Sequence, residues 1–196
     1  MTKNRQATEQ LLIDAVDRLI EENGFEGLGI NAVAAKAGVS KMLIYRYFHS
    51  LDGLIAAYIQ QHDYWINFKE EVPDAEHLGE FIKTIFKKQI KLLRESYPLR
   101  RLYRWELSTN NAQIKQLRDE REEKGLWIVD TVSRLSGHPQ KETAALATLL
   151  SAAISYLVLL SENYPAYNGV RLQEESGWEQ IESSIDLLVD MWLQKK

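Results

Sequence analysis

Cysteine is absent from the 196-residue chain, which excludes disulfide bonds and thiolate chemistry. With only 4 prolines and 10 glycines, long helices can form almost anywhere along the chain. An overall basic excess is also missing, because the formal net charge is −4. The first ten residues lack the apolar core of a signal peptide, and we therefore expect a cytoplasmic protein.

Motifs typical of enzymes are missing as well. The sequence has no glycine-rich phosphate loop, no nucleophile elbow, no H-E-x-x-H motif and no metal-ligand spacing among its 4 histidines. Strand-like alternation of apolar residues and internal repeats are also absent, which favours an all-α protein. Because the motifs of enzymes and metal sites are missing, we expect a protein that is not an enzyme and holds no cofactor or metal. The uncharged residues 144–160 are fewer than the roughly 20 that a membrane helix needs. We therefore expect a helix buried on all sides, and no membrane partner.

Residues 30–48 have the pattern of two short helices joined by a tight turn. The first helix has an apolar face formed by Ile30, Val33, Ala34 and Ala37. Gly38 follows where a helix end needs a positive φ, and Ser40 can cap the next helix. In that second helix, Ile44 and Phe48 point to one side and can be buried.

The other side of the second helix is left open. It carries Lys41, Met42, Leu43, Tyr45, Arg46 and Tyr47. Exposure of such large apolar and aromatic side chains to solvent alone is unfavourable, so this surface suits a helix that lies against another molecule. A helix-turn-helix places its second helix in the major groove of DNA in this way.

The sequence A-A-K-A-G-V-S-K-x-x-I-Y-R-Y-F resembles the DNA-binding signature of the tetracycline-repressor (TetR) family of bacterial regulators. The upstream L-L-I-D-A-V-D-R-L-I-E-E-N-G-F and the downstream S-L-D-G-L-I extend the resemblance over roughly residues 11–54. It implies a homodimeric regulator, usually a repressor, that binds a palindromic operator and is released by a small-molecule effector. Gly29 stands where the family usually has Ser or Thr, and Leu51 where it often has Lys.

The resemblance and the side-chain chemistry together predict the contacts to DNA. Arg46 can bind guanine, while Met42 and Leu43 can touch thymine methyl groups. The remaining candidates suit phosphates, with Asn31 in place of the missing hydroxyl at Gly29. The predicted DNA-binding residues are Asn31, Ser40, Lys41, Met42, Leu43, Tyr45, Arg46 and Tyr47.

Two domains are expected, a helix-turn-helix domain over residues 1–50 and a helical effector-binding and dimerisation domain over 51–196. A fourth helix from Ser50 to about Lys69 would join them without a flexible linker. Breaks such as Tyr97-Pro98 and the polar loop 164–177 predict further helices near 75–95, 99–108, 112–135, 140–163 and 177–194.

The second domain is rich in aromatic residues, which suits either an ordinary core or a ligand pocket. The resemblance favours a pocket, and the candidate lining residues are Tyr64, Trp65, Phe86, Tyr103, Trp105, Glu106 and Trp127. Glu106 lies on an apolar helical stripe, so its carboxylate must be paired or bound. An ion pair with Arg100, Arg101 or Arg104 is the favoured interpretation, ahead of a ligand contact.

The last predicted helix has apolar residues at alternating spacings of three and four, as in a short coiled-coil seam. This seam could pack inside its own domain or against a second copy. The resemblance favours the second copy, with the small residues of the preceding helix allowing close approach. The predicted interface residues are Ser151, Ser155, Trp178, Ile181, Ile185, Leu188 and Trp192.

Three functions remain open from the sequence. The first is the ligand-responsive DNA-binding regulator, and the second is a TetR-like dimer that has lost DNA binding and acts through protein contacts. The third is an all-helical enzyme with a carboxylate site, although the repeated Glu-x-x-His of a di-iron bundle is missing. Binding to duplex DNA separates the first from the other two.

Overall fold

Helices dominate the chain. The computed structural model describes residues 2–69, 71, 73–108 and 110–194, without the side chains of residues 2–4. The described helices are α1 (Thr2–Asn23), α2 (Ile30–Ala37), α3 (Lys41–Phe48), α4 (Leu51–His62), α5 (Leu78–Glu95), α6 (Tyr97–Ser108), α7 (Ala112–Ser136), α8 (Gln140–Ser161) and α9 (Glu175–Gln194). The all-α prediction is confirmed.

The chain forms two compact units, each made from two segments. Unit 1 contains Met1–Asn67 and Tyr97–Arg121, and unit 2 contains Phe68–Ser96 and Glu122–Lys196. The predicted division at residues 50 and 51 differs from this grouping, because α4 and α6 belong to the same unit as the first three helices. Whether residues 1–50 act as a separate DNA-binding domain stays a prediction.

The core of unit 1 is built around α1. This helix packs on α2, α4 and α6, and its fully buried side chains are Leu12, Val16 and Ile20. Val33 of α2 and Ile44 of α3 are also 0% exposed. Burial of such side chains is worth about 1.5–3 kcal/mol each, so this apolar spacing holds the short helices α2 and α3 in place.

The fourth helix is shorter than predicted. It ends at His62, and Asp63 is its C-cap, whereas the sequence pattern suggested about Lys69. The side-chain amide of Asn67 donates to the carbonyl oxygens of Gln60 and Asp63, both at 2.8 Å. These bonds satisfy helix-terminal carbonyl groups and turn the chain out of the helix.

Unit 2 is organised around α5, which packs on both α8 and α9. Its buried apolar face contains Ile82, Ile85, Phe86, Ile90 and Leu93. Beside this face, Lys83 pairs with Asp190 and Lys87 with Asp186, each at 2.7 Å. The partners fall in number along α9 as the lysines rise along α5, so the two helices are antiparallel.

The eighth helix is not buried on all sides, which corrects the expectation from its uncharged sequence. Only 22% of its most apolar 18-residue stretch is buried, and the side chains of Leu149 and Tyr156 are 69% and 54% exposed. By length and composition alone α8 could cross a membrane, but core helices of soluble proteins pass the same test.

A small hairpin occupies part of the predicted polar loop at residues 164–177. Strands β1 (Ala166–Tyr167) and β2 (Val170–Arg171) pair in antiparallel fashion. Asn168 and Gly169 form the turn with φ values of 50° and 86°. Asn-Gly is the sequence signal that could have predicted this hairpin.

Candidate nucleic-acid interface

The predicted pair of short helices and its tight turn are confirmed. Gly38 ends α2 in the left-handed conformation, with φ 67° and ψ 28°. A side chain there would be strained, whereas glycine adopts this conformation freely. Ser40 then caps α3, because its Oγ accepts a hydrogen bond from the backbone N–H of Met42 at 3.3 Å.

The other end of α3 is held against the start of α4. Ser50 caps α4 by accepting a hydrogen bond from the backbone N–H of Gly53 at 3.0 Å. A Cβ atom on Gly53 would lie 2.0 Å from the carbonyl oxygen of Phe48, the last residue of α3. Only glycine permits this approach, so the position of α3 is tied directly to that of α4.

One side of α3 is buried and the other faces solvent, as the sequence predicted. Ile44 is 0% exposed, whereas Met42 and Tyr45 are 65% and 47% exposed. Lys41 and Arg46 are exposed too, and Leu43, Tyr47 and Phe48 are half-buried. Ser40 and Asn31, the other two predicted contact residues, are also exposed. All eight predicted DNA-binding side chains therefore have surface accessible to a partner.

Positive charge on this surface comes mainly from α3. Lys36 of α2 contributes less than its sequence position suggests, because it forms an ion pair with Glu22 of α1. Within the part of the chain that the structure describes, Lys41 and Arg46 have no ion-pair partner. Gly29 caps α2 without a side-chain hydrogen bond, as expected from its sequence. The charges free to meet a polyanion are thus few and concentrated on one helix.

The seven candidate ligand-binding residues are not brought together in one unit. Tyr64, Trp65, Tyr103, Trp105 and Glu106 belong to unit 1, whereas Phe86 and Trp127 belong to unit 2. Phe86 is buried in the core of its unit, and Trp127 is 44% exposed. Trp105 stacks on Phe25 with ring centroids 4.6 Å apart, so it joins α6 to the chain just before α2. Its ring serves the core of unit 1.

Glu106 is ion-paired with two arginines that the sequence did not suggest. Its carboxylate accepts hydrogen bonds from Arg121 at 2.5 Å and from Arg118 at 3.3 Å. The predicted partners Arg100, Arg101 and Arg104 lie on the same helix as Glu106. Arg118 and Arg121 come from α7, and sequence spacing gave no signal for this pairing between helices.

Arg121 also pairs with a second carboxylate that sequence reasoning missed. Asp63 is 0% exposed, and its Oδ2 accepts a hydrogen bond from Nε of Arg121 at 3.0 Å. Burial opposes the charge on Arg121, but Tyr103, Asp63 and Glu106 outweigh it and raise the pKa of the guanidinium. Burial raises the pKa of Tyr103 to about 12, so its phenol is neutral at physiological pH. The result is a buried ion-pair cluster that joins α4, α6 and α7.

The predicted interface residues of α8 and α9 all belong to unit 2, and their place in a dimer stays a prediction. Trp178 and Ile185 are 1% and 4% exposed. Ser151 and Ser155 accept hydrogen bonds from Gln89 of α5 at 3.0 and 3.3 Å. Packing inside the same domain, the other interpretation of the seam, accounts for these four residues. Ile181 and Trp192 are half-buried, with Trp192 stacked on His138, and Leu188 alone is 46% exposed.

Each of the same two helices also has an exposed apolar side. The large residues there are Leu149 and Tyr156 of α8, with Leu187, Leu188 and Met191 of α9, and we call them together the exposed face of α8 and α9. The exposed residues on the same side of α8 include the small residues Ala145, Ala152 and Ala153. The acidic residues of α9 that could break this face, Asp186 and Asp190, are paired with lysines of α5. The helical spacing was visible in the sequence, but which stripe faces inward was not.

The described residues include no group of three or more histidine, aspartate or glutamate side chains placed to hold a metal ion. The features that remain are the exposed side of α3, a buried ion-pair cluster and the exposed face of α8 and α9.

These helices place the protein in the helix-turn-helix class, with a buried first helix and an exposed second one. Residues 12–58 match the N-terminal domain model of the bacterial regulatory proteins of the tetR family. Residues 12–58 thus form a DNA-binding domain of this family's type, and the resemblance seen in the sequence is confirmed.

Known relatives support the same assignment. The fatty acid metabolism regulator protein of Bacillus subtilis (strain 168) is 26% identical over 116 residues, an alignment that covers 58% of this chain and 60% of that protein. The chain therefore matches less than two thirds of the relative's length.

Two solved structures share the fold over nearly the whole chain. A TetR transcriptional regulator from Agrobacterium tumefaciens has a TM-score of 0.64 and 18% identity, covering 96% of this chain and 93% of its own. FadR from Bacillus subtilis in complex with stearoyl-CoA has a TM-score of 0.58 and 21% identity, covering 92% and 96%.

Proposed function

We propose that the protein is a ligand-responsive transcriptional regulator, most often a repressor in this family, that binds a palindromic operator as a homodimer. The observation that carries the proposal is the exposed side of α3, where Met42, Tyr45 and Arg46 face solvent over the buried Ile44. An isolated eight-residue helix is not stable in water, so α3 depends on its packing against the rest of unit 1. Because only one side of α3 is buried in this way, the other side is available to a partner.

The side chains on α3 divide into two kinds of contact. Arg46 presents a planar guanidinium that can bind O6 and N7 of guanine, and Met42 and Leu43 can pack on thymine methyl groups. Lys41, Tyr45, Tyr47 and Ser40 suit phosphate oxygens, which fix position but do not read sequence. With few unpaired cations, the salt dependence of binding should be moderate.

Pairing of two copies through the exposed face of α8 and α9 is the second part of the proposal. Leu149, Tyr156, Leu187 and Met191 are each at least half exposed, and the neighbouring Asp186 and Asp190 are ion-paired with lysines of α5. An uncharged face with alanines at its centre suits close packing against an identical face.

The third part of the proposal is a small-molecule effector. Relatives guide its choice, since one is a fatty acid metabolism regulator and one fold relative was solved with stearoyl-CoA. A long-chain acyl-CoA is therefore the first compound to test. If it lowers operator affinity, linkage requires that operator DNA lowers acyl-CoA affinity by the same factor. A compound that binds equally well with and without operator is not the effector.

Selection of bound duplexes from a random DNA pool tests the proposed function. We expect enrichment of one palindromic motif by the wild-type protein. The matched control is a double variant, Lys41→Ala with Arg46→Ala, whose substitutions are exposed and should leave the fold intact. Enrichment of no motif by a folded, dimeric wild-type protein would instead favour a TetR-like dimer that acts through protein contacts.

A further inference from the structure

The start of α1 lies beside the exposed side of α3. Arg5, in the first turns of α1, places its guanidinium over the ring of Tyr47, with the carbon of the guanidinium 5.3 Å from the ring centroid. Tyr47 directly follows Arg46, the proposed base-reading residue. The buried residues of α1 begin only at Leu12, so residues 5–7 are exposed and extend from the core.

Arg5 is held in this position by a second contact. Its Nε donates a hydrogen bond to Oε1 of Glu9, one turn further along α1, at 2.8 Å. The side chain of Arg5 is nevertheless 58% exposed. Among the contacts described in the structure, its two terminal nitrogens donate to no protein acceptor. A guanidinium has five N–H donors, so the bond to Glu9 leaves donors available to a phosphate.

We propose that Arg5 is a further residue of the DNA interface, where it binds a backbone phosphate next to Tyr47 and positions the tyrosine ring. The inference rests on the proposed DNA binding. Two roles follow from the geometry. The stacked guanidinium restricts the ring to one orientation, and its charge extends the positive surface of α3 beyond Lys41 and Arg46. Glu9 opposes the second role, because its carboxylate offsets part of the charge.

Arg5→Ala tests the proposal in an affinity titration with a duplex selected by the wild-type protein. We expect affinity to fall roughly three- to tenfold for the selected duplex and for duplexes of unrelated sequence alike, because phosphate contacts carry no sequence information. The slope of log affinity against log salt should become shallower by about 0.9, the value for one phosphate contact. Arg18→Ala is the matched control, because Arg18 is exposed on the same helix. It lies about 220° around the helix axis from Arg5, at 100° per residue.

The positioning role is tested by combining Arg5→Ala with Tyr47→Leu and, separately, with Tyr47→Phe. Tyr47→Leu removes the ring, so Arg5→Ala should then cost clearly less than in the wild-type protein. Tyr47→Phe keeps the ring and should preserve most of the effect of Arg5→Ala.

Several outcomes would overturn the inference. Equal affinity and salt slope for Arg5→Ala and Arg18→Ala would remove Arg5 from the interface. Strict additivity of Arg5→Ala with Tyr47→Leu would contradict the positioning role. A wild-type protein that binds no duplex would overturn the proposed function itself, and so this outcome is distinct from the other two.

Discussion

Arg46 and Asp63 are both charged residues near helix ends, but their surroundings give them opposite roles. Arg46 is exposed on α3, where water solvates its charge and a binding partner can reach it. Asp63 is 0% exposed and depends on Arg121, which is itself only 14% exposed. Burial without that partner would cost several kcal/mol. The proposed function therefore uses the first residue, whereas the second stabilises unit 1.

Substitution of Arg46 tests the reading role of α3. Arg46→Ala should cost about 1–3 kcal/mol in binding to the selected operator and relax the preference at one base pair per half-site. Lys41→Ala is the control, since loss of a phosphate contact should weaken all duplexes to a similar degree. The measurement is fluorescence anisotropy with single-base operator variants. An Arg46→Ala protein with unchanged affinity and preference would show that the reading face is elsewhere.

Removal of Asp63 tests the buried ion-pair cluster. Asp63→Ala leaves Arg121 buried with only Glu106, so the free energy of unfolding should fall by about 3–5 kcal/mol. Asp130→Ala removes a carboxylate from an ion pair whose side chains are 67% and 58% exposed, and this change should cost less than about 1 kcal/mol. Urea unfolding compares the two variants. A similar small effect from both would mean that the cluster contributes little.

At the scale of elements, the junction between α3 and α4 depends on one residue, Gly53. Gly53→Ala would force a Cβ atom against the carbonyl oxygen of Phe48, and we expect the free energy of unfolding to fall by about 1–3 kcal/mol. Gly125→Ala, inside α7, meets no atom within 4 Å and should stabilise the protein by about 0.4–1 kcal/mol. The midpoints of urea unfolding give both values. Equal effects would contradict the crowded junction.

Elements encoded by neighbouring residues were predictable from the sequence. The turn between α2 and α3 follows from Gly38, Ser40 and apolar residues one turn apart, all within nineteen positions. The end of α4 was not predictable, because it depends on the side chain of Asn67 and on Arg121, 58 residues from Asp63. Helical periodicity showed an apolar stripe on α9 but not which side of the helix faces α5. That orientation is seen in the ion pairs of Asp186 and Asp190 with lysines of α5.

At the scale of the whole molecule, the proposed dimer pairs two copies through the exposed face of α8 and α9. Leu149→Asp combined with Leu187→Asp would place charges on this face, at positions 69% and 60% exposed in one copy. We expect folded monomers in sedimentation experiments. Ile185→Asp, which alters a residue only 4% exposed, should instead unfold unit 2. A double variant that remains a dimer of wild-type affinity would place the interface on another surface.

In the proposed complex, one dimer presents two copies of α3 to two half-sites of the same operator. In a two-fold symmetric complex, the half-site centres should lie one DNA turn apart, about 34–36 Å, or a multiple of that distance. Insertion of about five base pairs between the half-sites turns one of them to the opposite side of the duplex. The most direct measurement compares the affinity of the wild-type dimer for the selected operator and for this expanded operator. The expected result is a loss of at least about tenfold, close to the affinity for a single half-site. Equal affinity for both duplexes would contradict the account.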